Sequence, residues 1–137
     1  MRTKFLSFLF VSLVGLVSLT SCETDEDVGY GLSGAFGKSW YGDFGAIDRF
    51  GYPLYSEITF MAGSSNDHGT GWERTYYEDG TPCDDRRFDW EVSGLDLYLF
   101  FDDRTSLYIT DYSVTPDMFK GVFENGVPFV LYLERRW

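Results

Sequence analysis

The chain has 137 residues, of which 20% are aromatic, and its acidic residues outnumber its basic ones by 22 to 11. That length fits one domain and not two. A net charge of −11 repels polyphosphate and anionic headgroups, which argues against nucleic acid as a partner and against a basic membrane-binding patch.

Arg2 and Lys4 precede an apolar run from Phe5 to Leu19, broken only by Ser and Gly. The run is shorter than the roughly 20 apolar residues a spanning helix requires. Small polar residues follow it, and the combination predicts a cleaved export signal over residues 1–21. The junction Leu19-Thr20-Ser21-Cys22 resembles the lipobox of bacterial lipoproteins. The resemblance implies diacylation of the Cys22 thiol, cleavage before it and acylation of the new amino group, so that several acyl chains anchor the protein stably. The acidic stretch Glu23 to Asp27 resembles the surface-export signal of Bacteroidetes lipoproteins, which implies an outer-membrane location at the cell surface, with the periplasmic face as the alternative. On charge alone it reads as a solvated tether.

Cleavage leaves 116 residues, with 9 Lys plus Arg against 22 Asp plus Glu. Residues 22–36 read as an acidic and then Gly-rich tether, and 37–137 as the folded domain. With Cys22 acylated, Cys83 has no intramolecular partner, so the domain is expected to fold without a disulfide. Cys83 lies in a turn-like stretch beside Asp84 and Asp85, whose charges disfavour a thiolate.

Abundant Gly and aromatic residues with little Ala favour sheet over helix. Trp40 to Phe44 is a first predicted strand. In the second, Tyr52 to Met61, Tyr52, Leu54, Ser56, Ile58 and Phe60 share one face, with Tyr55, Glu57 and Thr59 on the other. The third runs from Thr70 to Glu78, with Trp72 on the inward side. Phe88, Trp90 and Val92 then alternate with Asp89 and Glu91, and Leu95, Leu97 and Leu99 with Asp96 and Tyr98. Leu107 and Ile109 face inward in a sixth strand, Met118 to Glu124 is a seventh, and Asn125-Gly126 marks a type I′ hairpin into Val127 to Arg135.

About eight short strands with tight connections predict an all-β domain, an antiparallel meander closed as a small barrel, since closure removes every sheet edge. Eight strands leave room for side chains or one small ligand. Phe60, Trp72, Phe88, Trp90, Leu97 and Leu99 could fill much of it, so a packed or shallow-cavity interior is expected.

The pattern resembles the lipocalin-like small-barrel lipoproteins of Bacteroidetes. The resemblance is carried by Trp40-Tyr41-Gly42, Gly69-Thr70-Gly71, Phe88-Asp89-Trp90, Ile109-Thr110-Asp111-Tyr112 and Phe119-Lys120-Gly121. In lipocalins the Trp of a Gly-x-Trp motif closes the barrel floor; Gly37-Lys38-Ser39-Trp40 is the nearest match, one residue longer.

Catalytic signals are weak. Asp89 and Glu91 share a face, but it is the one opposite Phe88, Trp90 and Val92, and therefore solvated. His68 is the sole histidine, which excludes a His-rich zinc site, and without a suitably placed Ser or Cys it gives no hydrolytic triad. Asp84-Asp85 and Asp102-Asp103 lack the spacing of a calcium loop. No enzyme activity, metal or cofactor is predicted. Two readings follow. The first is a noncatalytic module holding a small apolar or glycan-derived ligand at the barrel mouth near Tyr52, Trp72 and Trp90. The second is an accessory protein docking an envelope partner through an outer face bearing Tyr30, Tyr41, Tyr55, Tyr77, Tyr98 and Tyr108.

Overall fold

A computed structural model of the protein describes residues 24–137; the export signal and Cys22 lie outside them. Eight antiparallel strands follow one another around a closed barrel: β1 (Lys38–Gly42), β2 (Tyr55–Ala62), β3 (His68–Tyr76), β4 (Pro82–Ser93), β5 (Asp96–Phe101), β6 (Ser106–Val114), β7 (Met118–Phe123) and β8 (Pro128–Tyr132). β8 returns to β1 through the pair Tyr41 and Tyr132. The predicted fold class is thus the observed one.

The alternation of apolar and polar residues sets which side chains enter the barrel. Ile58 and Phe60 from β2, Phe88, Trp90 and Val92 from β4, Leu97 and Leu99 from β5, Ile109 from β6, Phe119 from β7 and Phe129 and Leu131 from β8 are all buried together. Edge-to-face aromatic contacts knit this interior, with Phe60 touching Phe88, Trp90 and Phe119 at centroid distances of 5.5 to 5.9 Å. Such contacts each add about 0.5–1.5 kcal/mol to simple burial.

Residues 25–33, expected as tether, instead form helix α1 (Asp25–Ser33). Thr24 Oγ1 accepts the Asp27 amide and Asp27 Oδ2 accepts the Thr24 amide, a reciprocal cap that offsets the unpaired donors of a helix start. The three carboxylates of the first turn are favoured there by the helix dipole. α1 plugs one end of the barrel. Its Leu32 is fully buried, and the Leu32 carbonyl accepts the indole N–H of Trp40 at 3.0 Å. Gly29 lies so close to the β2–β3 loop that an added Cβ would stand 1.6 Å from the Asn66 carbonyl oxygen; only glycine admits this approach. We call this end the base and the opposite end, formed by the β1–β2, β3–β4, β5–β6 and β7–β8 connections, the mouth.

Four further expectations are corrected. β2 begins at Tyr55, so Tyr52 and Leu54 belong to the preceding loop. Cys83 to Asp85 are the start of β4, not a turn. Leu95 lies in the β4–β5 turn and is exposed. The last hairpin exists, but Phe123 and Val127 pair around three residues and Gly126 alone of them takes a positive φ, +86°; this is a turn followed by a glycine bulge, not a type I′ turn.

Candidate functional site

The inward side of the sheet changes character toward the mouth. On β3 the inward residues are Gly71, Glu73 and Thr75, all buried, while Trp72, Arg74 and Tyr76 face outward. The phase expected for β3 is therefore reversed. Gly71 is required on the inside because Phe88 occupies that space: a Cβ on Gly71 would lie 2.6 Å from the Phe88 ring. Trp72 consequently packs on the outer face, where the Arg74 guanidinium approaches its ring at 5.8 Å.

That phase carries Glu73 into the barrel, 2% exposed. A buried carboxylate is tolerable only when paired and hydrogen-bonded, and both of its oxygens are engaged. Ser56 Oγ of β2 donates to Oε2 at 2.8 Å, and Arg86 Nε of β4 donates to Oε1 at 2.9 Å. Arg86 continues outward: its Nη1 donates to Asp103 Oδ2 at 3.1 Å and Thr105 Oγ1 at 3.2 Å, and its guanidinium stacks 3.6 Å over Phe101. The Thr105 hydroxyl and amide, with Arg86, hold the Asp103 carboxyl below the usual carboxylate range.

Above this network lies an open cleft of about 660 Å³, between the β1–β2 loop and the start of β4. The loop is itself ordered. Asp48 Oδ1 accepts the amides of Tyr52 at 2.8 Å and Phe50 at 2.9 Å, and Tyr77 donates its hydroxyl to Asp48 Oδ2 at 3.1 Å. Desolvation of Asp48 opposes ionisation, but the Tyr52, Phe50 and Tyr77 donors outweigh it and depress its carboxyl. Tyr77 hydrogen-bonds to Cys83 and to Asp48, which push its phenol up to about 12. The cleft is lined by Asp48, Glu73, Asp84, Asp85 and Asp103 against Arg49 and Arg86, a net excess of acid. Phe50, 71% exposed, stands at its edge.

The three predicted ligand residues do not converge. Tyr52 sits 64% exposed on the β1–β2 loop, Trp72 is on the outer face, and Trp90 is 1% exposed in the core. The Trp90 indole N–H is shared by the carbonyls of Met61 and Thr70 at 3.1 and 3.0 Å, so it has no donor left for a ligand. The residues missed were Glu73 and Arg86. One signal for them was in the sequence: Arg86 shares the inward phase of Phe88, Trp90 and Val92, and an inward cation demands an inward acid.

The tyrosine face is divided rather than continuous. Trp137 packs on Tyr41, Tyr55 and Tyr76, stacking on Tyr55 at 4.9 Å. Tyr98 packs on Phe100 and Tyr108 on β5 and β6, with the Tyr108 hydroxyl donated to Asp96 at 2.7 Å. Tyr77 belongs to the cleft, and Tyr30 is exposed on α1.

His68 does acquire the serine partner it was expected to lack, with Asp67 on its other nitrogen. Its Nδ1 lies 2.8 Å from Asp67 Oδ1, and Ser64 Oγ lies 3.2 Å from its Nε2. Hydrogen bonds from Ser65 and His68 lower the Asp67 carboxyl. This supplies the hydrogen-bond chain of a nucleophile, base and orienting acid. Ser64 and Asp67 lie on the β2–β3 loop and His68 at the exposed start of β3, however, and the groove beside His68 carries Asp89 and Glu91. Two carboxylates there oppose the negative charge an acyl-transfer intermediate develops. Among the described residues no cluster of three or more His, Cys, Asp or Glu is placed to hold a metal ion, and no helix is long and apolar enough to cross a membrane. No protein-family model, curated protein or solved structure matches the chain.

Proposed function

We propose that the protein is a noncatalytic binding module of the cell envelope, anchored through an acylated Cys22, that takes a small glycan-derived ligand at the barrel mouth. The observation that carries the reading is the cleft itself. It opens at the unplugged end of a barrel otherwise filled with side chains, over a floor of hydrogen-bonded Glu73 and Arg86. Its volume lies within the range of small-molecule sites. A polar, acid-rich lining disfavours an apolar ligand or an anion and suits a neutral polyhydroxylated one. Sugar hydroxyls can donate to Asp84, Asp85 and Asp103, and the exposed Phe50 ring offers an apolar face for stacking.

Titration of the domain with neutral mono- and oligosaccharides, followed by amide chemical shifts, tests this. Shifts are expected at residues 46–50 and 83–86. A D84N/D85N variant, altered only at exposed positions, should bind roughly tenfold more weakly or worse, the effect of losing a charged hydrogen bond. Shifts confined to another face, or none with any neutral sugar, would overturn the reading.

A further inference from the structure

We infer that the base of the barrel is a membrane-resting surface: Phe36 and Leu95 enter the boundary between headgroups and acyl chains of a zwitterionic lipid surface, and the mouth points away from it. The inference rests on the reading of Cys22 as the acylated residue, and the geometry of α1 then removes the freedom a tether would give.

Thr24, the cap of α1, is two residues from Cys22, a span of at most about 7 Å of extended chain. The polar headgroup layer is of the same thickness, since the core of about 30 Å widens to only about 40–45 Å when both headgroup layers are included. α1 cannot swing to lengthen the connection. Asp25 Oδ1 accepts the Gly94 amide at 3.0 Å in the β4–β5 turn, and Glu26 accepts the Ser65 hydroxyl at 3.0 Å in the β2–β3 loop. Gly29 is wedged against Asn66, and Leu32 and its carbonyl are locked beneath Trp40. An acyl group on Cys22 therefore holds the base itself at headgroup level.

What the base presents fits such a surface. Leu95, 85% exposed, follows Gly94 in the turn that caps the start of α1. Phe36, 95% exposed, follows the other end of the helix. Two large apolar side chains thus flank the plug, and apolar area buried at the interface adds to what an acyl chain supplies. Asp25, Glu26 and Asp27 lie in the first turn, so an anionic surface would repel the base and a zwitterionic one would not. The mouth also exposes apolar residues, Ile47, Phe50 and Tyr52. They sit at the opposite end and cannot meet the bilayer that holds Cys22.

The full chain, acylated in a bacterial host, tests this in phosphatidylcholine vesicles. In a Cys83→Ser background, an environment-sensitive fluorophore is placed on Phe36→Cys, Leu95→Cys or, at the mouth, Phe50→Cys, and lipids bearing a quencher on the acyl chain are introduced. Labels at positions 36 and 95 should lose half or more of their emission while the label at 50 keeps its own. Equal quenching at base and mouth, or none at 36 and 95, in protein whose N-terminal peptide carries the acyl mass, would overturn the orientation. Absence of the acyl mass would instead refute the Cys22 reading, and the orientation with it.

Discussion

Glu73 and Arg86 stand opposite each other in the β3–β4 register, and the guanidinium that neutralises the buried carboxylate also forms part of the cleft wall. Stability of the barrel and shape of the site are therefore joined in one pair. Arg86→Met leaves the Glu73 charge buried beside only the Ser56 hydroxyl, and should cost about 3 kcal/mol, the lower end for a broken buried pair because Arg86 is partly solvated. Glu73→Leu combined with Arg86→Met should cost less than Arg86→Met alone. Urea unfolding of the single and double variants measures both; independent, additive losses would show that the pair is not coupled.

The plug makes a second prediction. Gly29→Ala drives a methyl into the Asn66 carbonyl and should destabilise by about 1–3 kcal/mol, as overpacking does. Amide exchange in residues 28–33 should quicken more than in β4. Tyr30→Ala, on the exposed side of the same helix, should stay within about 0.5 kcal/mol.

Acidification should loosen the mouth before the barrel. The Asp48 and Asp103 carboxyls are depressed in the fold, so their contribution is present above the unfolded carboxylate value of about 4 and is lost as pH falls through the lower folded values. Amide exchange of residues 46–52, corrected for intrinsic rate, should be flat from about pH 8 to 5 and rise below about 4. Asp48→Asn should raise it at neutral pH. An unchanged loop in that variant would mean that Asp48 does not hold it.

Alkali acts on β5 and β6. Asp96 accepts the Tyr108 hydroxyl and pushes that phenol up to about 12. The folded value lies above the unfolded one of about 10, so this contribution is complete below pH 10 and is lost as pH rises through the folded value. Ultraviolet titration should show Tyr108 among the last phenols to ionise, and Asp96→Asn should return it toward about 10.

The noncatalytic reading predicts that Ser64 is an ordinary hydroxyl. A fluorophosphonate probe should label the wild-type protein no faster than Ser64→Ala. Ser64-dependent labelling would make the Ser64, His68 and Asp67 chain a working nucleophile and sink that reading.

The strands were legible where side-chain alternation is strict. Phe88, Trp90 and Val92, then Leu97 and Leu99, lie inside as the pattern requires. The pattern failed where interior volume decided. Trp72 is the larger apolar residue, but Phe60 and Phe88 already fill the space and leave room only for Gly71. The resulting phase carried Glu73 inward, which hydrophobicity alone cannot foresee. α1 was hidden by its glycines and acids, although Thr24 and Asp27 stand at the spacing of a capping box. The site was obscured for a related reason: aromatic residues drew attention to Trp90, whose indole is consumed by the backbone, while charged residues of the mouth became a site only when closure of the barrel brought β3 and β4 beneath the β1–β2 loop.

Where the ribbon of strands meets itself, the join is short. β1 and β8 share the single register pair of Tyr41 and Tyr132, and the chain then runs on to lay Trp137 against Tyr41, Tyr55 and Tyr76 on β1, β2 and β3. Trp137 thus acts as a clasp over the seam. Removing that ring, as in Trp137→Ala, would open the clasp and favour exchange of β8 between molecules.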